Sequence, residues 1–366
     1  MHHRTPPAQR ACLAALAAAT FAFCAAAQAA DPAASQDQDA PLANPPVVLT
    51  DRGAPAQLML QTQADALPAV QGAAPIRNPE LSLDIVLRPG QIFDPATGRF
   101  DAVQLRSYVD ANGTPPGRFF IAPTIEARPG ETVRMRLNNR LEPQPGCKPD
   151  DINIPHCFNS TNLHSHGLWV SPSGNSDNVL LTIRPGVKFD YEYAIPDTHP
   201  AGTFWYHPHL HGSTALQVSS GMAGALVIRG NRLPHKVDGQ VKTGDIDTLL
   251  RHPDGAPYSE RVIVFQQIQY ACRDADGKIK TNPDKTWRCD QFGPGSWPES
   301  GRYTTINGRV LPVFDGAVAG RPERWRLIHA GVRDTINLQY LPLRARPGPV
   351  GTSAAGHHGW LGRSCV

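Results

Sequence analysis

Short alternating segments, each ended by turn-forming residues, constrain the fold of this chain more than any other feature. The 366 residues include 36 prolines and 32 glycines. From Leu81 onward, apolar and polar residues alternate in short stretches, such as Leu81–Ile85 before Pro89-Gly90 and Thr132–Leu137 before Asn138-Asn139. Alternation with period two is typical of strands with one buried face. The sequence therefore predicts an all-β sandwich or barrel of antiparallel strands rather than layered helices and strands.

The same texture divides the chain into predicted regions. Residues 81–232 and 255–343 read as two β units, joined by a polar connector at Asn231–Tyr258, with a short helix expected at Ser213–Val218 and a turn at Asn307-Gly308. Residues 30–80 are rich in Ala, Pro and Gln without a sustained period, which predicts a mobile or loosely docked arm.

The tail at residues 344–366 differs from the rest, since it is rich in Arg, Pro, Gly and Ala and contains no acidic residue. Two interpretations stay open: a natural disordered terminus, or a reading-frame change that shortens a longer protein. The second is favoured, because the strands before the tail read as those of an unfinished domain.

The first 29 residues predict export. Arg4 and Arg10 precede an apolar run from Ala11 to Ala27, and Ala27-Gln28-Ala29 has the small-residue pattern of a signal-peptide cleavage site. The apolar run is too short for the roughly 20 residues that a bilayer span needs. The formal net charge of +3 includes Arg4 and Arg10, which would be removed with the signal peptide. The remaining charge is too small to indicate binding to nucleic acid. We expect a periplasmic or secreted protein without a membrane span.

Five cysteines remain after the predicted signal peptide. In an oxidising compartment, the first four could pair locally as Cys147–Cys157 and Cys272–Cys289, although four cysteines allow three connectivities. Cys365 is interpreted as a free thiol.

Four histidines form the strongest candidate site. His164 and His166 are two residues apart, as are His207 and His209, so each pair would project from one face of a strand. Imidazole nitrogens suit copper, zinc and iron. Copper or zinc is therefore predicted. A zinc hydrolase is disfavoured, because neither Ser165 nor Pro208 can supply the acidic ligand or general base that it would want within the motif.

The motifs around these histidines resemble a known family. The three blocks that carry the resemblance are Pro123–Glu131, Asn162-Leu163-His164-Ser165-His166-Gly167 and Gly202–Gly212, which contains Trp205-Tyr206-His207-Pro208-His209. They are similar to the first domain of multicopper oxidases, a family that includes laccases, bilirubin oxidases and bacterial copper-efflux oxidases. The resemblance is strong over Leu81–Arg229 and weaker in the second unit.

The resemblance implies a cupredoxin-like (plastocyanin-like) Greek-key fold, with one complete and one incomplete domain. It implies that His164 binds a type 2 copper and that His166, His207 and His209 bind a type 3 pair. Asp177 matches an acid that the family places near the cluster, where it is expected to relay protons, and its alternative interpretation is a turn residue. The family transfers single electrons from an organic or metal-ion donor to dioxygen, releasing water.

The chain also departs from the family. Multicopper oxidases complete the cluster and hold a type 1 copper with a His-x-x-His-x-His block and a His-Cys-His block, and neither occurs in the 366 residues. Blue-copper geometry requires that Cys. We therefore expect the N-terminal part of a multicopper oxidase that is truncated and inactive alone. The alternative is a non-enzymatic module that buffers or delivers copper, and the reducing donor stays open.

Overall fold

The structure is a computed structural model that describes residues 40–51, 78–95, 98–113, 117–147, 156–272, 274–275, 280, 300–332 and 335–339. All of them belong to one compact unit, Ala40–Val366. The predicted signal peptide, most of the predicted arm, the tail at 344–366, Cys289 and Cys365 lie outside the described residues. Within the described part, no helix is long and apolar enough to cross a membrane.

Eight strands build two four-stranded sheets. In chain order they are β1 (Glu80–Asp94), β2 (Arg99–Asp110), β3 (Ile125–Ala127), β4 (Thr132–Asn139), β5 (His164–His166), β6 (Lys188–Ala194), β7 (Gly202–His207) and β8 (Gly224–Ile228). One sheet has the order β2-β1-β4-β6 and the other β3-β8-β7-β5. The pairs β1–β4 and β3–β8 are parallel, so the sheets are mixed, whereas the sequence predicted antiparallel strands.

One apolar core lies between these two sheets. Alternate residues of β1, Leu81, Leu83 and Ile85, have no exposed surface, and they pack in one cluster with Met135 of β4 and Tyr206 of β7. Burying each such side chain contributes about 1.5–3 kcal/mol. The period-two pattern read from the sequence thus marks the inward faces of a sandwich, and the all-β prediction is confirmed.

The predicted end of the first strand at Pro89-Gly90 is wrong, because β1 continues through both residues to Asp94. The parallel partner β4 accompanies only Glu80–Ile85. Beyond that point β1 pairs only with β2 among the strands, and a proline without an N–H is tolerated on an edge. Gly90 is needed for a different reason, since a Cβ there would lie 2.5 Å from the ring of Phe120.

The rest of the described chain adds one helix, a hairpin and a third sheet. The elements are α1 (Thr214–Ser219), β9 (His235–Val237), β10 (Gln240–Lys242), a 3-10 turn (Ile246–Thr248), β11 (Ser259–Cys272), β12 (Ser300–Ile306), β13 (Arg309–Val310) and β14 (Glu323–His329). The third sheet has the order β13-β12-β11-β14. Asn307 and Gly308 have positive φ and connect β12 to β13, as the predicted turn requires. The predicted connector contains the exposed β9–β10 hairpin, which its polar composition did not reveal.

Residues 40–51 fasten the third sheet to the sandwich. The side chain of Asn44 accepts a hydrogen bond from the Val262 backbone and donates one to the Glu260 carbonyl. Farther along, Val48 and Thr124 are joined through their backbones, with Val48 N–H donating to Thr124 O at 2.9 Å. This part of the arm, which was predicted to be mobile or loosely docked, therefore makes hydrogen bonds both to the third sheet and to the sandwich.

Candidate metal centre

Strand pairing brings the two histidine motifs together. β5 and β7 run antiparallel with His164 opposite His207 and His166 opposite Trp205. Opposed residues of an antiparallel pair lie about 4.5–5.5 Å apart at their Cβ atoms. Pro208 then ends β7, and His209 follows on the same side, with its ring centroid 5.1 Å from that of His164. Four imidazoles, from two motifs that lie 41 residues apart in sequence, thus meet at one sheet edge.

The ring nitrogens converge closely. His166 Nδ1 lies 3.3 Å from His207 Nε2, and one nitrogen from each of His164, His166 and His207 lies within 4.8 Å of the others. His209 stands farther out, with its ring centroid 5.9 Å from that of His207.

Hydrogen bonds fix two of the rings by their outer nitrogens. His164 Nδ1 contacts the Asp177 carboxylate at 2.9 and 3.1 Å, and the same carboxylate accepts the Ser165 N–H at 2.7 Å. His207 Nδ1 lies 2.8 Å from the Pro208 carbonyl. In its neutral form, each of these rings carries its proton on Nδ1, which leaves the Nε2 lone pair free.

Asn162 holds the second motif against the first. Its Oδ1 accepts the His209 N–H at 2.6 Å, and its Nδ2 donates to the carbonyls of Val179 and Leu181. Asn162 is fully buried. One side chain therefore ties the approach to β5, the loop after Asp177 and the end of β7 together.

Burial keeps the central imidazoles neutral. Desolvation, together with the charges of His164, His166 and His209, lowers the pKa of His207 to about 4 against the opposing effect of the Pro208 carbonyl. Desolvation and the charges of His164 and His209 also lower the pKa of His166. Neutral imidazole is the form that binds metals, so both rings are available as ligands at pH 7.

Three aromatic residues near the histidines have different positions. Trp205 stacks on His207 at 4.2 Å and on His166 at 4.9 Å between ring centroids. Tyr206 faces the opposite way, into the core, where its hydroxyl donates to the Pro123 carbonyl. Trp169 is 57% exposed and packs at a tilt against His199 instead. Of these three aromatic residues, Trp205 alone stacks on the cluster, and Tyr206 points away from it because successive strand residues point to opposite faces.

The donor set fits a metal. Metal–imidazole bonds of about 2.0–2.1 Å at a tetrahedral angle place two nitrogens about 3.3 Å apart, which is the His166–His207 spacing. Within the part of the chain that the structure describes, His209 Nδ1 is buried and has no hydrogen-bond partner, and a buried polar atom without a partner is costly. Nitrogen donors with an outer carboxylate are the pattern of transition-metal sites.

The other candidate residues named from the sequence lie beside the cluster or away from it. The Asp177 carboxylate lies beside His164, where it bonds the ring and the Ser165 amide. A disulfide joins Cys147 to Cys157. Cys272 is also disulfide-bonded, while its predicted partner Cys289 lies outside the described residues. His211 is exposed and lines a cavity of about 450 Å³ next to the Cys147–Cys157 bridge.

Sequence reasoning missed two residues of the site region, Asn162 and His199. Asn162 lies two positions before His164 in the first histidine motif. This closeness to a ligand was the signal in the sequence that could have identified it. His199 is a single histidine in Asp197-Thr198-His199-Pro200, and nothing in its spacing marks it.

The region around this site is similar to known proteins. Residues 153–232 match the family described as multicopper oxidase. Laccase-1 of Thanatephorus cucumeris is 32% identical over 184 residues, covering 48% of this chain and 28% of that protein. Iron transport multicopper oxidase fetC of Epichloe festucae is 29% identical over 215 residues, covering 53% and 29%. A laccase structure from Pediococcus acidilactici aligns at 18% identity with a TM-score of 0.46, covering 80% of this chain and 46% of that one.

Residues 153–232, which contain both histidine strands, are thus similar to a multicopper oxidase domain, and copper is the metal that the family's name implies. The chain spans less than a third of the length of these two curated relatives.

Proposed function

We propose that this chain is the copper-binding N-terminal part of a multicopper oxidase, with His164, His166, His207 and His209 as its copper ligands. The observation that carries the proposal is the approach of His166 Nδ1 to His207 Nε2 at 3.3 Å inside the part of the chain that matches the family. In the finer assignment, His164 serves a type 2 copper and the other three serve a type 3 pair.

Bound copper would supply single-electron transfer between a reducing donor and dioxygen. The residues of this chain prepare the site for it. Asp177 keeps the His164 proton on Nδ1 and so aims Nε2 inward. The Pro208 carbonyl does the same for His207, and Trp205 restricts the tilt of two rings by stacking. Proton relay by Asp177 stays part of the proposal, with the His164 ring as its neighbour.

We further propose that the chain does not turn over donors alone. No cysteine stands between histidines in the sequence, and a thiolate-bound type 1 copper needs such a ligand. Half of the cluster ligands of the family are also absent from the sequence. A polypeptide that carries the missing blocks would have to complete the cluster.

Loading the purified chain with copper tests both parts. We expect copper uptake, a paramagnetic signal of the type 2 kind, no intense blue band, and no oxygen consumption with a phenolic donor. Absence of copper uptake would contradict the ligand assignment. A blue protein that consumes oxygen would contradict the proposed inactivity.

A non-enzymatic copper-buffering module remains the second candidate, favoured by the same missing ligands. The two are separated by adding a polypeptide with the family's His-x-x-His-x-His and His-Cys-His blocks. Oxygen uptake that appears only in the mixture supports the N-terminal part of an oxidase. A mixture that consumes no oxygen supports the copper-buffering module. A zinc hydrolase is opposed by Asp177, whose carboxylate faces the outer nitrogen of His164 rather than the ligand nitrogens.

Export to the periplasm or medium belongs to the same proposal and rests on residues 1–29. N-terminal sequencing of the protein recovered outside the cytoplasm should begin at about Ala30. An unprocessed N-terminus would contradict the signal-peptide assignment.

A further inference from the structure

His166 is the most exposed of the four histidines. Its side chain is exposed; in the described part of the chain its ring has aromatic neighbours and the His207 nitrogen, but no carboxylate or carbonyl partner. His164 and His207 have such partners. The direction of the His166 ring therefore depends on how firmly the end of β5 is held.

The end of β5 is a tight turn. Gly167 has φ +92°, a conformation that favours glycine, and a Cβ there would lie 3.1 Å from the Phe204 ring. The Leu168 N–H then donates a long bond of 3.4 Å to the Ser165 carbonyl. Since β5 has only three residues, the turn is the nearest place at which the strand can be anchored on this side.

His199 provides that anchor. Its Nε2 accepts the Trp169 N–H at 3.1 Å, and its Nδ1 lies 2.9 Å from the Pro200 carbonyl. These two contacts define one tautomer, with the proton on Nδ1. The ring has no exposed surface and packs edge-on against Phe204 and at a tilt against Trp169. Burial also lowers its pKa.

The segment around His199 is fastened in turn. The His199 carbonyl accepts a bond from the Arg232 guanidinium at 2.8 Å, and Arg232 is paired with Asp245 at 2.6 Å. The His199 N–H donates to the Pro196 carbonyl. A ring set in such a frame can hold the turn after β5 in one place.

We propose that His199 is a positioning residue for His166, acting through the Trp169 amide and the Gly167 turn. The inference rests on the proposed copper site, and its chemistry is that of a neutral imidazole acceptor that fixes a ligand-bearing strand. His199 itself is not a ligand.

Two variants of His199 distinguish its role as a hydrogen-bond acceptor from its role in packing. His199→Phe keeps a flat ring against Phe204 and Trp169 but cannot accept the Trp169 N–H, whereas His199→Gln keeps an acceptor. In metal-free protein, we expect His199→Phe to increase amide exchange at Trp169 at least ~10-fold, equivalent to 1.4 kcal/mol of local opening. The NMR signals of the His166 ring should shift, those of His164 should not, and His199→Gln should restore both readouts.

Copper titration gives the functional readout. We expect His199→Phe to bind copper about 10-fold more weakly, the lower end for loss of an outer support, with His199→Gln close to the native protein. A native protein that takes up no copper would defeat the proposed site, while Trp169 exchange and His166 shifts still judge His199 without metal.

A measurement on the unaltered protein covers the case in which a variant fails to fold. NMR should detect scalar coupling between the Trp169 backbone nitrogen and His199 Nε2 through their hydrogen bond in protein labelled with ¹⁵N at both atoms. Its absence would overturn the proposal, as would unchanged Trp169 exchange in a folded His199→Phe, or equal shifts of His164 and His166.

Discussion

Two polar clusters lie at opposite ends of β7, and they are built on opposite rules. At His207 the cluster consists of imidazoles, and among the described residues the buried Nδ1 of His209 has no hydrogen-bond partner. Near Thr203 it consists of charges that are paired. There Arg229 pairs with Glu126 and Glu260 at 2.5 Å each, and Arg326 donates to Thr203 at 3.0 Å.

This second cluster, the charged seam, contains the three arginines Arg229, Arg324 and Arg326 and the three acids Glu126, Asp247 and Glu260. It joins the sandwich to the third sheet. A network in which every charge is paired can hold two surfaces in a fixed position. A buried nitrogen without a hydrogen-bond partner can instead bind a metal ion. The comparison teaches that partner count, rather than burial, distinguishes the functional cluster from the structural one.

The largest expected effect is at the histidine cluster. Replacing His164 and His207 together by Ala should abolish copper uptake, because the pair draws one ligand from each motif. The fold should persist, since Asp177 loses the His164 ring but keeps the Ser165 N–H as a hydrogen-bond donor. Equilibrium dialysis with copper and thermal unfolding measure the two properties. His211→Ala, an exposed neighbour, is the matched control, and copper uptake that persists in the double variant would refute the site.

The seam should respond in the opposite way. Glu260→Gln removes the carboxylate shared by Arg229 and Arg326, and the Arg326 side chain is 1% exposed. Loss of one partner of a buried pair costs about 3–5 kcal/mol, so urea unfolding should show a loss of that order with copper binding unchanged per folded molecule.

The control for the seam is Glu192→Gln, which breaks the half-exposed pair with Arg134 and should cost less than about 1 kcal/mol. Equal destabilisation by the two substitutions would show that the seam is no better than a surface pair.

Asp177→Asn sharpens the comparison, because Asp177 is the carboxylate that directly contacts the histidine cluster. The amide keeps the size of the side chain but loses the charge that orients the His164 proton. Outer-shell substitutions of this kind lower metal affinity about 10–100-fold. Competition titration with a copper chelator measures the change, with Asp190→Asn, on an exposed surface pair, as control. A copper affinity within error of the native value would favour the alternative interpretation of Asp177 as a turn residue.

The sequence was informative where a pattern repeats within a few residues. Alternation in β1 and β4 marked the core, and the spacing of His164 to His166 and of His207 to His209 marked the cluster. It was uninformative where partners are distant along the chain. Asn162 and His209 are 47 residues apart, and Arg229 and Glu126 are 103 apart. Such contacts depend on strand order, which includes the parallel pairs that local patterns cannot specify.

Acid provides the smallest and most selective test of the seam. Burial raises the pKa of Glu260, but the bond and charge of Arg326 and the charge of Arg229 outweigh it and lower the pKa to about 2 from 4.5. A depressed carboxyl pKa contributes stability that is complete above the unfolded value and lost as the pH falls through the folded one. The native chain should therefore lose this contribution between about pH 4.5 and pH 2, and Glu260→Gln should lose less over the same range. Urea unfolding at both ends of the range, for both proteins, isolates Glu260 from the other carboxyls. Parallel pH dependence in the two proteins would mean that Glu260 is not held by the seam arginines in solution, and the contrast between the two clusters would then rest on geometry alone.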